Sequence, residues 1–153
     1  MIFFRIFAFE TNSYNTMQFR LTYQEISDLI ERKAGRRLPI MYGGPHAVRI
    51  SYDVNVLFKT ASVGLDLTVD EIDQAGNIFL SYNGGAGIDY MVKMALNQAK
   101  NHQGGDMIEL LSDNRIMLQL SKNAQAGSLF NHITLKDIFF DEQFAIVEFE
   151  PKL

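Results

Sequence analysis

The sequence predicts an α+β fold: a curved, mostly antiparallel sheet with two helices packed on its apolar face. Three observations predict it. Between Ala47 and Val69 apolar and polar residues alternate, and period two places successive side chains on opposite faces of a pleated strand. Two other stretches, Tyr23–Ala34 and Ile88–Lys100, repeat their apolar residues at helical spacing instead. The chain then closes on two alternating runs, Ile133–Phe140 and Phe144–Glu150, around the turn Asp141-Glu142-Gln143. Strands with one apolar face cover a core on that side and meet water on the other. About six to eight strands then form one layer and the helices a second.

Ile2–Phe9 reads as a first strand, apolar on both faces apart from Arg5. Such a strand is buried on both sides or pairs with a partner molecule. Thr11–Asn15 reads as a turn and Met17–Leu21 as a short strand. Thr22-Tyr-Gln-Glu25 has the capping-box spacing, and Gly35 stands just past the end of the helix it opens. Ile26, Leu29, Ile30 and Ala34 form that helix's apolar stripe. Leu38–His46 carries Pro39, Gly43, Gly44 and Pro45 and reads as a loop.

In the long region Val48, Ile50, Tyr52, Val54, Val56 and Phe58 share one face, and the pattern resumes after Thr60-Ala61 with Val63, Leu65, Leu67 and Val69. Asp73–Asn77 is a turn, and Ile78–Tyr82 a return strand. The second helix sets Ile88, Met91, Val92, Ala95, Leu96 and Ala99 on one face, the clearest helical pattern in the chain. Met107–Leu111 fits a helical turn or a strand, Ile116–Leu120 a strand, and Asn123–His132 a polar loop.

The 153 residues suit one domain with a sizeable core, residues 1–153. A net charge of −4 argues against a nucleic-acid binder that works by bulk charge. With no cysteine, disulfides, thiolate catalysis and thiolate metal sites are excluded. Met1–Phe9 has Arg5 inside its apolar run and no cleavage site after it, so it does not read as a secretory signal. No run approaches the twenty or so apolar residues of a membrane span. A cytoplasmic location is expected if Met1 is the natural start, and composition leaves the compartment open.

No catalytic signature emerges. Asn83-Gly-Gly-Ala-Gly87 stands between a strand and a helix, the order that places phosphates on helix N-termini. Its glycines lack the spacing of either phosphate-loop motif, and Asp89 adds a negative charge there. It reads as a tight strand-to-helix turn. His46, His102 and His132 lie in separate loops without metal-ligand spacing. No Gly-x-Ser-x-Gly occurs, and the clustered carboxylates sit at turns. No metal, cofactor or catalytic residue is expected. Arg32, Lys33, Arg36 and Arg37 crowd the first helix's C-terminal end, where cations complement the dipole. The same four form a candidate anion-binding patch for an anionic membrane surface.

The run FRLTYQEISDLIERKAG, then strands ending LDLTVDEID, then GIDYMVKMALNQAK, NRIMLQLSK and ITLKDIFFDEQFAIVEFE resembles the tubular lipid-binding (TULIP-like) superfamily in pattern from Met17 onward. The resemblance implies a long curved sheet wrapping a helix, an apolar groove for an acyl chain, and no catalytic residues. The chain is shorter than a full tubular domain, and Ile2–Phe9 has no counterpart there.

The function expected is a non-enzymatic binding module for an apolar or lipid-like ligand between helix and sheet. Met91, Ala95, Leu96, Val54 and Phe58 are its candidate walls, with small Ala95 leaving room. The alternative is a protein-interaction or assembly module, with the N-terminal strand as an exposed edge that also offers a route to a homo-oligomer. An enzyme would instead require a polar cleft gathering histidine and carboxylates.

Overall fold

The computed structural model describes residues 5–11, 14–85, 87–99 and 105–152, with side chains except at 5–11, 14, 15, 33, 34, 54–56, 61, 95, 98, 99, 105, 124 and 125. In chain order the elements are β1 (Arg5–Thr11), β2 (Tyr14–Thr22), α1 (Tyr23–Ala34), β3 (Ile40–Gly44), β4 (Ala47–Val56), β5 (Lys59–Ile72), β6 (Asn77–Gly84), α2 (Ile88–Ala99), β7 (Ile108–Leu110), β8 (Arg115–Gln119), α3 (Ala124–Leu129), β9 (Ile133–Phe140) and β10 (Phe144–Pro151). The fold is α+β. Its strands form two antiparallel sheets, a four-stranded one in the order β1-β2-β10-β9 and a six-stranded one in the order β3-β4-β5-β6-β8-β7.

Cross-strand register explains the larger sheet. Val48 faces Leu67, Ile50 faces Leu65 and Tyr52 faces Val63. The series continues as Tyr42 against Val48, Leu67 against Tyr82, Leu80 against Ile116, and Ile116 against Leu110. Residues opposite one another project from the same face, so one apolar face runs across all six strands. On the other face Arg49 lies opposite Asp66, with Nη1 3.2 Å from Oδ1.

α2 lays Ile88 and Val92 on the apolar face, where they meet Ile78, Leu80, Tyr82, Ile116 and Leu135 of β9. Leu96, Ile138 and Val147 pack against this cluster. The smaller sheet is tied on by the Phe140 N–H, which donates to the Pro45 carbonyl at 2.7 Å. α1 starts on the predicted capping box: the Glu25 N–H donates to Thr22 Oγ1 at 3.1 Å, and the Thr22 N–H to the Glu25 carboxylate at 3.4 Å. It stops at Gly35, whose φ of 72° suits a residue without Cβ.

Several elements differ from the sequence reading. Of the predicted first strand, residues 2–4 lie outside the described residues, and β2 begins inside the expected turn. The expected loop Leu38–His46 contains β3: Gly43 and Gly44 lie within the strand, and the hairpin turns at Pro45-His46. The last expected residue of the second helix, Lys100, lies outside the described residues. The Asn123–His132 loop holds the short α3.

The long alternating region, whose pattern is interrupted at Thr60-Ala61, forms two strands that reverse at Leu57-Phe58. Apolar pairing accounts for this. An unbroken ladder reversing at Thr60-Ala61 would set Val48 opposite Asp73 and Ile50 opposite Glu71 on the apolar face, whereas the observed one sets them opposite Leu67 and Leu65. The turn residues have φ of 46° and 68°. That is the primed two-residue turn that suits right-twisted hairpins and favours Asn-Gly. Each non-glycine residue there costs roughly 1–2 kcal/mol.

Candidate functional site

Two features of the larger sheet stand out: its apolar face beside α2, and the far end of the β4–β5 hairpin. Of the expected ligand walls, Met91 and Leu96 lie on α2 and are half-buried. Leu96 packs on the core cluster, while Met91 is not among the residues packed on it. Ala95 lies on the same helix and Val54 on β4 opposite Ala61, and the side chains of both fall outside the described ones. Phe58 is a correction. It occupies the hairpin turn and is 107% exposed, so it lines no groove between helix and sheet. Its neighbour Leu57 is 87% exposed beside it. The structure therefore places Met91 and Leu96 on one helix, with only Leu96 packed on the core cluster, and sets Phe58 apart.

The basic cluster divides. Arg37 is paired with Asp28 and Glu31, which offset its charge locally. The Arg36 guanidinium lies 4.1 Å from the centroid of the Tyr52 ring, donates to the Tyr52 hydroxyl at 2.6 Å and to the Asp53 carbonyl at 2.7 Å. Arg32 is exposed, and the Lys33 side chain is outside the described ones. So Arg36, rather than the four residues as a unit, connects α1's end to the hairpin.

A polar cleft was not foreseen. It has a volume of about 440 Å³ and is lined by His46, Val69, Asp70, Glu71, Ile72, Lys136 and Asp137. It opens where β5 shifts register between Val69 and Glu71, beside β9. His46 Nε2 stands 3.7 Å from Asp137 Oδ1, both half-exposed. That is an ion-pair distance and too long for a hydrogen bond. Lys136 Nζ is held by Glu150 at 3.4 Å, and Asp70 accepts from Ser81 and faces Arg115 Nε at 3.7 Å. These contacts tie Lys136 and Asp70 to partners. Among the described residues no group of three or more histidines and carboxylates is arranged to hold a metal ion. The cleft residues come from three separate strands and loops, so only the three-dimensional register could unite them.

At the other end of β6, Tyr82 is 3% exposed, and its hydroxyl donates to Asp89 Oδ1 at 2.6 Å. Burial, then Asp89, pushes its phenol up to about 12. The Tyr82 bond, then Lys93 Nζ at 3.0 Å, holds the Asp89 carboxyl below the usual range. Asp89 thus fastens α2's first turn to the sheet and stays negatively charged there.

The fold and site define an α+β protein of two open antiparallel sheets with a one-sided apolar surface and a projecting hairpin. No family model, no curated protein and no solved structure matches the chain. Among the described residues no helix is long and apolar enough to cross a membrane.

Proposed function

We propose that the protein is a non-enzymatic binding module for an apolar or lipid-like ligand held between α2 and the apolar face of the larger sheet. The observation that supports this is the incomplete closure of the interior. The apolar face spans six strands, yet none of the large side chains described falls below 2% exposure. Val63, Leu65, Leu67 and Val69 are only half-buried. Apolar surface left partly open in a cleft is where ligands with few polar anchors bind. Met91, half-buried at the flank of the packed cluster, would contact such a ligand, with Ala95 one turn further along α2.

Native mass spectrometry and displacement of a fluorescent fatty-acid probe test the reading. The purified protein should carry an apolar small molecule or bind the probe. Ala95→Phe should weaken probe binding about tenfold while circular dichroism stays unchanged. A wild-type protein that binds no probe and retains no lipid overturns it.

A second reading, an assembly module, has one observation in its favour. β1 pairs with β2 on one side and has no strand on the other among the described residues. Edge strands of this kind accept a further strand from another chain. Light scattering at rising concentration would show the resulting oligomer, and a strict monomer would remove this reading.

A further inference from the structure

We propose that the β4–β5 hairpin is a membrane-docking arm that seats Leu57 and Phe58 in the interface of a bilayer with anionic headgroups. This rests on the hairpin alone and needs no ligand beside α2. β3 accompanies β4 as far as Ile50, and β6 accompanies β5 as far as Leu65. Beyond them the pairs Tyr52–Val63, Asp53–Ser62, Val54–Ala61, Asn55–Thr60 and Val56–Lys59 form a two-stranded ribbon flanked by no other strand among the described residues. At about 3.3 Å per residue this arm reaches roughly 17 Å past the sheet. Leu57 and Phe58 are the most exposed large apolar residues described, at 87% and 107%.

Turn chemistry sets this tip apart from the other primed turn of the sheet. The β7–β8 reversal uses Asp113 and Asn114, with φ of 60° and 59°, and such residues tolerate the left-handed region. The arm places two bulky apolar residues in the same backbone conformation. Folding explains neither residue there, since neither contributes to the core.

Charge selects the occupant. Residues 54–65 carry one charged side chain, Lys59, in a chain of net charge −4. The nearest carboxylate along the arm, Asp53, lies roughly 13 Å behind the tip. Arg36 stacks at the arm's base. Tip-first approach therefore presents apolar residues and a cation. It also holds the anionic body back by more than the ~8 Å screening length at physiological ionic strength. A two-residue convex point is far too small for the roughly 800 Å² per partner of a stable protein interface. A bilayer interface accepts side chains about 5–10 Å deep without matching their shape.

The test is flotation with vesicles of phosphatidylcholine alone or mixed with phosphatidylglycerol. The variant Leu57→Asn/Phe58→Gly restores favoured turn residues, so it should melt at the wild-type temperature or above. The wild-type protein should float with the mixed vesicles, and the double variant should partition at least about tenfold less. Lys59→Ala should weaken binding to the mixed vesicles and not to the neutral ones. The chain has no tryptophan, so Phe58→Trp supplies a single reporter whose emission should shift to the blue on vesicle addition. Absence of wild-type flotation, or equal flotation of the double variant, overturns the proposal. So does an oligomer that dissociates in the double variant without vesicle binding, since the tip would then be covered by a second copy. Unchanged fatty-acid probe binding in the double variant would separate this site from the groove.

Discussion

At the scale of single residues, pH exposes how α2 is attached. The Tyr82 phenol is pushed up to about 12, above its ordinary 10. A group whose folded pKa is raised gives stability that is complete below the unfolded value and is lost as pH rises through the folded one. The Tyr82 contribution is therefore full below pH 10 and disappears between 10 and about 12. The Tyr23 phenol, also raised to about 12, first by burial and then by Asp141 and Tyr42, acts in the same window. Asp89 has the opposite sign. Its depressed pKa gives stability above the ordinary carboxylate value that is lost as pH falls through the folded one. Tyr82→Phe should thus shrink both limbs of the stability profile. Urea midpoints from pH 3 to 11 check this. An acid limb as steep in Tyr82→Phe as in the wild type would mean that the hydroxyl does not hold the carboxylate in its charged form.

At the scale of elements, the larger sheet makes a two-sided prediction. Val48 is 8% exposed on the apolar face, and Arg49 beside it faces water opposite Asp66. Val48→Asp buries an unpaired charge and should prevent folding, since several kcal/mol approaches the whole stability of a domain. Arg49→Ala should change stability by about 0–1 kcal/mol, the range of an exposed ion pair. Soluble yield and chemical denaturation measure both, and equal tolerance would mean the faces are misassigned. These faces were legible in sequence because alternation is a local signal. So was α1, whose Thr22 and Glu25 cap it within one turn. The reversal at Leu57-Phe58 was not, because its residues carry no turn chemistry and its position depends on Val48 and Ile50 meeting Leu67 and Leu65 across the ladder. β3 was masked by Gly43 and Gly44, which read as breakers although they lie within the strand, and by Pro45 in its turn. That Met91 and Leu96 share one helix was legible. Phe58 was misplaced with the hairpin, and the cleft of His46 and Asp137 needed contact between distant strands.

At the scale of the whole molecule, the two sheets depend on contacts that no local pattern reveals, since β2 from one end of the chain pairs with β10 from the other. The core lies where α2, β6, β8 and β9 meet, and Leu135 joins it from the smaller sheet. Among the described residues the arm contributes none of the buried core residues, and Val63 at its base packs against them. A two-stranded ribbon is marginal by itself, so it is carried by the sheet and does not support it. Tyr52 and Val63 already face each other in the ladder, an even number of residues from the Val56–Lys59 pair that closes the turn. Replacing residues 53–62 by Asn-Gly would therefore close the hairpin on Tyr52 and Val63 with its hydrogen-bonding phase and faces preserved. The shortened chain should fold, with a melting temperature within about 4 °C of the wild type, the shift produced by roughly 1 kcal/mol in a domain of this size. Its urea m-value should fall slightly, because less surface is exposed on unfolding. It should keep fatty-acid probe binding if the ligand lies beside α2, and lose vesicle flotation if Leu57 and Phe58 dock the membrane. Failure of the shortened chain to fold would show that the arm stabilises the core, and would remove the division of labour between a closed body and a projecting contact.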